Sequence, residues 1–174
     1  MFERKPQPQE RSMKILVIDD AAHNTQAAIS QLGEAHQLTT ASSYDEARKL
    51  LVGNPWANEE AQKFDVILTD LMMPASGMRQ GEEGLRFVGK LMPVGVFLVL
   101  LAAKSGAKYI GLLTDTGHHD HPASAALDDM YETVLQINSA KTVFINNKFM
   151  DHQRKGKKVV SIKRWDQLLE ELLK

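Results

Sequence analysis

Short apolar runs alternate along the chain with longer stretches whose apolar residues recur at helical spacing, and this alternation sets the first expectation of fold. Ile15-Leu16-Val17-Ile18 and Val66-Ile67-Leu68-Thr69 are the clearest runs, and each closes on aspartate: Asp19-Asp20 after the first, Asp70 after the second. Runs apolar on both sides read as strands of a parallel sheet covered on both faces. The pattern predicts strands over 14–19, 37–41, 65–69, 109–114 and 142–146. Between them it predicts helices over 21–33, 43–52, 84–103 and 122–135. Ser43 with Glu46 three residues on has the form of a capping box, and Gly53-Asn54-Pro55 stops that helix. Residues 56–63 read as a polar loop and 75–83, with Gly77 and Gly81, as a flexible insert. Pro93 either kinks the long third helix or opens a new one in its first turn. A basic turn at 154–158 and a strand-like run at 159–162 precede a closing amphipathic helix over 165–173, with Trp165, Leu168, Leu169, Leu172 and Leu173 inward. Strand and helix alternate five times, which predicts an α/β fold: a doubly wound parallel sheet with helices on both faces.

Composition narrows the classes. A chain of 174 residues is long enough for one domain with a substantial core. That domain is expected over 13–174, after a polar, disordered tail at 1–12 that has no apolar core and so is no signal peptide. The formal net charge of -1 argues against an electrostatic nucleic-acid binder. The absence of cysteine excludes disulfides and thiolate metal sites and fits a reducing, cytoplasmic location. The longest apolar run, 94–103, is too short to span a bilayer. It reads as a buried helix or strand, with a partner-binding face as the other reading.

In a parallel sheet the two aspartate-closed runs end at the same edge, where open α/β sheets place their sites. Asp19, Asp20 and Asp70 would then repel one another in a low dielectric, and a hard divalent cation is what offsets such repulsion. Helix capping or a turn is the bland reading of each, but two adjacent acids exceed what one cap needs. His23 and Asn24, just after the acidic pair, border the same place. His118, His119 and His121 fall in the loop at 117–122, with Asp115 and Asp120 beside them. Imidazoles suit Zn²⁺, Ni²⁺ or Fe²⁺. Adjacent histidines on an extended loop point apart, so two readings stay open: loop residues that support the acidic site or touch a phosphate, or a ligand set of their own.

These residues resemble a known family. Ile-Leu-Val-Ile-Asp19-Asp20, Val-Ile-Leu-Thr-Asp70-Leu-Met-Met-Pro74 and Leu-Leu-Thr114 are similar to the strand ends of the receiver domain of two-component response regulators. The resemblance implies a flavodoxin-like fold with five strands in the order 2-1-3-4-5. It implies that Asp70 is a phosphoacceptor, that Asp19, Asp20 and the backbone carbonyl of Met72 join Asp70 around Mg²⁺, and that Thr114 is the hydroxyl switch. The family's lysine follows strand five, which makes Lys148 the candidate here. Implied partners are a sensor histidine kinase or phosphotransfer protein and a downstream protein. With no output domain after strand five, a stand-alone receiver is implied, not an enzyme in its own right.

The chain departs from the family in its longer insert at 75–83, its long apolar third helix and its loosely spaced lysine. Two rival readings stand beside the receiver. One is a phosphorylation-independent pseudo-receiver whose apolar third helix mediates docking or a homodimer. The other is a metal-dependent hydrolase that combines the acidic triad with the histidine loop.

Overall fold

The computed structural model describes residues 12–174; apart from Ser12, the expected tail lies outside the described residues. The first strands and helices form where the apolar pattern puts them: β1 (Lys14–Ile18), α1 (Ala22–Leu32), β2 (Gln37–Ala41), α2 (Tyr44–Val52) and β3 (Val66–Thr69). Ser43 caps α2 by accepting from the Glu46 N–H at 3.2 Å, and the Glu46 carboxylate accepts in return from the Ser42 N–H at 2.7 Å. The return arm of the box thus lands one residue earlier than the simplest pattern has it.

After β3 the chain departs from one long third helix. β4 (Met73–Pro74) pairs antiparallel with β5 (Leu91–Met92), and the residues between them form a loop holding only a short helix, α3 (Glu82–Leu85). Gly89 adopts a left-handed φ of 76° that turns the chain back into β5. The insert is tied down as well: the Ser76 hydroxyl donates to Asp45 on α2 at 2.5 Å. Only α4 (Gly95–Ser105) keeps the expected apolar helix, ended by Gly106 at φ 90°.

β6 (Tyr109–Thr114) follows as expected. The helix expected over 122–135 is reduced to α5 (Pro122–Ala125) and a 3-10 turn at Asp128–Met130. The rest becomes β7 (Val134–Ile137), which turns through Asn138, at φ 52°, into β8 (Ala140–Asn146). Two-residue period won over helical period there: Leu135 and Ile137 face the core while Val134 and Gln136 face out. The basic turn is the tip of a hairpin, β9 (Met150–Lys155) and β10 (Lys158–Lys163), before α6 (Trp165–Leu173).

The main sheet reads β2-β1-β3-β6-β8-β7. Its five parallel strands stand in the expected 2-1-3-4-5 order, and antiparallel β7 adds a sixth at the edge. Alternate residues of β1 serve opposite faces. Ile15 and Val17 pack with Ala28, Leu32, Trp165, Leu168 and Leu172 beneath α1 and α6. Leu16 and Ile18 pack with Ala47, Leu51, Leu98 and Ala102 beneath α2 and α4. Leu173, expected inward, is exposed. Among the described residues no helix is long and apolar enough to cross a membrane.

Candidate functional site

The carboxyl edge of β1 and β3 gathers the acidic residues because the ladder carries on past both strands. The Asp19 N–H donates to Ala41 and the Asp70 N–H to Ile18, at 3.0 and 2.9 Å. Asp19 is fully buried, Asp70 is 6% exposed, and Asp20 faces solvent. One oxygen from each of the three lies within 4.8 Å of the others. Gly95 lets the start of α4 close on this edge: its N–H donates to the Leu71 carbonyl at 3.0 Å, and a Cβ at this position would collide with the Asp70 carbonyl oxygen. Met72 is buried two residues beyond Asp70.

The cation of this site is Lys163, the last residue of β10. Its ammonium is 1% exposed and lies 2.6 Å from Asp19 Oδ2 and 2.9 Å from Asp70 Oδ1. Asn24 fixes the arrangement. Its amide nitrogen donates to both Asp19 oxygens, at 3.2 and 3.1 Å, and its side-chain oxygen accepts from the Lys163 N–H at 3.1 Å. The Trp165 indole donates to the Asn24 carbonyl at 3.0 Å, and Gln31 bonds both the Lys163 carbonyl and the Trp165 N–H. The Ala21 N–H donates to Asp19 Oδ1 and the Leu71 N–H to Asp70 Oδ1, at 2.9 and 2.7 Å. β10 and α1 are therefore locked together around Asp19.

Electrostatics follow from this geometry. Burial pushes the Asp70 carboxyl up to about 6; Lys163 opposes that rise, while Asp19 and Asp115 add to it. Asp20 is also raised, by burial first and then by Asp19. Burial works against charge on Lys163, but Asp70 and Asp19 outweigh it and hold the ammonium above its ordinary range. With all four groups ionised, three carboxylates against one ammonium leave two negative charges uncompensated. All-oxygen donors, one solvent-facing carboxylate and this excess charge fit a hard divalent cation such as Mg²⁺.

Thr114 is fully buried on the neighbouring strand, level with Asn146, and its hydroxyl accepts from the Thr116 N–H at 3.1 Å. Lys148 does not reach the site. β8 ends at Asn146, Asn147 turns away at φ 51°, and the half-exposed Lys148 ammonium pairs with Glu132 at 2.9 Å. Lys163 was missed because it lies far along the chain from Asp70. The available signal was a lysine closing a β-branched run just before the last helix.

The three histidines do not converge. His118 meets Asp128 at 3.0 Å and His119 at 2.8 Å, whereas His121 accepts from the Ala123 N–H and caps α5. They also stand apart from the acidic cluster. Among the described residues, Asp19, Asp20 and Asp70 are the one group of three or more such side chains within reach of a single ion.

No model of a known protein family matches the sequence, and no curated protein matches it. Solved structures similar to it include a response-regulator domain and a receiver domain. The N-terminal domain of a response regulator/sensory box/GGDEF three-domain protein from Carboxydothermus hydrogenoformans is 18% identical, over 76% of this chain and 80% of that one, with a TM-score of 0.44. The BeF3-activated receiver domain of DrrB is 14% identical, over 80% of this chain and 87% of that one, also with a TM-score of 0.44.

Proposed function

We propose that residues 13–174 form a receiver domain that accepts a phosphoryl group on Asp70. The carrying observation is the buried Lys163 ammonium, held against both Asp19 and Asp70 at an edge that also offers solvent-facing Asp20. An Asp70 oxygen would attack the phosphorus of a phosphohistidine, on a sensor kinase or phosphotransfer protein, or of a small acyl phosphate. The new bond is Asp70 O–P; the bond that breaks is the one from phosphorus to the donor's nitrogen or oxygen, and the donor leaves with that electron pair. Asp19, Asp20, Asp70 and the Met72 carbonyl would hold Mg²⁺, which when bound neutralises charge on the transferring group. Lys163 exchanges its carboxylate contact with Asp70 for a phosphoryl oxygen. The Thr114 hydroxyl gives up the Thr116 N–H to bond the same phosphoryl group, which moves the loop after β6 and presents a changed surface to a downstream protein.

A second reading is a phosphorylation-independent interaction module. It is favoured by the same bridge, since Lys163 already satisfies Asp19 and Asp70. Intact mass after incubation with acetyl phosphate and Mg²⁺ separates the two. The receiver gains one phosphoryl group that requires Mg²⁺ and is absent in Asp70→Asn. A folded, Mg²⁺-binding protein that gains nothing from acetyl phosphate or any histidine phosphodonor is the interaction module.

A further inference from the structure

The connection after α2 presents a side chain that the rest of the domain leaves unused. Trp56 is 97% exposed, whereas the chain's other tryptophan, Trp165, is fully buried. The 3-10 turn that carries it, Pro55–Ala57, is tightly built. The Asn54 side-chain oxygen accepts from the Trp56 N–H at 3.2 Å, and the main chains of Asn54 and Glu59 bond each other at 2.8 and 3.1 Å. Gly53, at φ 75°, lets them close, since a Cβ there would collide with the Glu59 carbonyl oxygen. Glu59 also pairs with Lys49 of α2 at 2.9 Å. An indole with both faces open, on a turn braced in this way, is a platform for stacking.

Trp56 lines a cavity of about 470 Å³ together with apolar Val52 and Met78. That volume is of the size that holds a small molecule. Two guanidinium groups line it as well, Arg48 from α2 and Arg79 from the insert after β4. Among the described residues neither has an ion partner. Arg79 sits at a left-handed φ of 59°, an uncommon conformation for a residue with a side chain. The insert is held against α2 at this point by the bond from Ser76 to Asp45, and the Met78 N–H donates to the Ser76 hydroxyl at 2.9 Å. Of the other charged groups on the wall, Asp45 is taken by Ser76 and Lys49 by Glu59, so Arg48 and Arg79 set the sign of the cavity. An open indole beside two unpaired guanidiniums suits a ligand that is flat and aromatic at one end and anionic at the other. The indole stacks on the ring, and the planar guanidinium forks match the oxygens of a phosphate.

We infer that this cavity binds a nucleoside phosphate, with the base stacked on Trp56 and the phosphates held by Arg48 and Arg79. The site shares no residue with the carboxylate cluster and stands whether or not Asp70 is phosphorylated. It also gives a role to the insert at 75–83, which the acidic site leaves unused.

The test is tryptophan fluorescence with calorimetric titration of the whole chain by ADP and GDP, in Mg²⁺-free buffer so that the carboxylate cluster repels phosphate. Stacking should quench the exposed indole, and binding should weaken as salt is raised. Adenosine alone and pyrophosphate alone should each bind at least about tenfold more weakly than ADP, because each makes only half of the contacts. Trp56→Ala and Arg48→Gln should each weaken ADP binding by roughly tenfold. Arg79→Gly separates binding from folding: glycine suits the left-handed φ, so the melting temperature should hold while ADP binding falls. Asp70→Asn should bind ADP as the parent does. No binding of either nucleotide by the folded parent, pyrophosphate binding as tightly as ADP, or ADP binding that survives Trp56→Ala would overturn the site.

Discussion

Removing the Lys163 ammonium would leave Asp19 and Asp70 buried without the cation that both now touch. Lys163→Met should therefore cost about 3–5 kcal/mol at pH 7.5, read as a shift of the urea midpoint, and Mg²⁺ should restore part of it. Lys148→Met should leave the urea midpoint unchanged, because its pair with Glu132 is solvent-exposed. Asp70 gives stability the opposite pH dependence from a salt-bridged acid. Its folded value, about 6, lies above the ordinary 3.8, so between these values the folded state keeps a proton that the unfolded chain releases. Stability contributed by protonated Asp70 is thus full below pH 4 and is lost as pH rises through 6, by about 3 kcal/mol in all. Chemical denaturation of parent and Asp70→Asn at a series of pH values should show this loss in the parent and not in the variant. Asp70 was legible in the sequence because a lone acid closing an apolar run has few other reasons to be there. Lys163 was not, because its contacts join residues 144 and 93 positions apart, and a lysine near a basic turn reads as solvated surface.

At the scale of elements, β10 links the site to the end of the chain. Lys163 closes that strand, Trp165 opens α6, and Asn24 of α1 bonds both. Phosphorylation of Asp70, or BeF₃⁻ in its place, should slow or speed amide exchange in β9, β10 and the first turn of α6 more than in β2. Hydrogen-exchange mass spectrometry reads this directly, and equal change throughout would detach the hairpin from the site. The approach of α4 is a second such constraint. A Cβ on Gly95 would collide with the Asp70 carbonyl, so Gly95→Ala should cost about 1–3 kcal/mol by thermal melt and weaken Mg²⁺ binding as Asp70 shifts. The parallel strands were readable from apolar runs and α2 from its cap. β4, β5 and β9 were not, since two-residue ladders and polar hairpins carry almost no periodic signal, and the four residues of β7 are too few to break the helical reading of 122–135.

For the whole molecule, a nearly neutral chain concentrates two formal negative charges at one sheet edge. A divalent cation there should stabilise the fold by mass action: about 2.7 kcal/mol at a hundred times its Kd, seen as a rise in melting temperature with Mg²⁺. Asp20→Asn should keep the fold, because Asp20 is exposed, and should lose most of that rise. The two faces of the sheet are closed by α1 with α6 and by α2 with α4. The acidic edge is where the ends of β1 and β3 meet.

What the sequence by itself determined is local and periodic: the five parallel strands, α1, α2, α4 and α6, and the acids that close β1 and β3. Each follows from neighbours in the chain, where side-chain period and strand-end chemistry act without tertiary help. Only the tertiary structure decided that β7 would be a strand, that His118 and His119 would face each other, and that the site's cation would arrive on a hairpin. Those outcomes depend on contacts between distant segments and on burial, and the strength of a charge pair is set by the dielectric around it rather than by its place in the sequence.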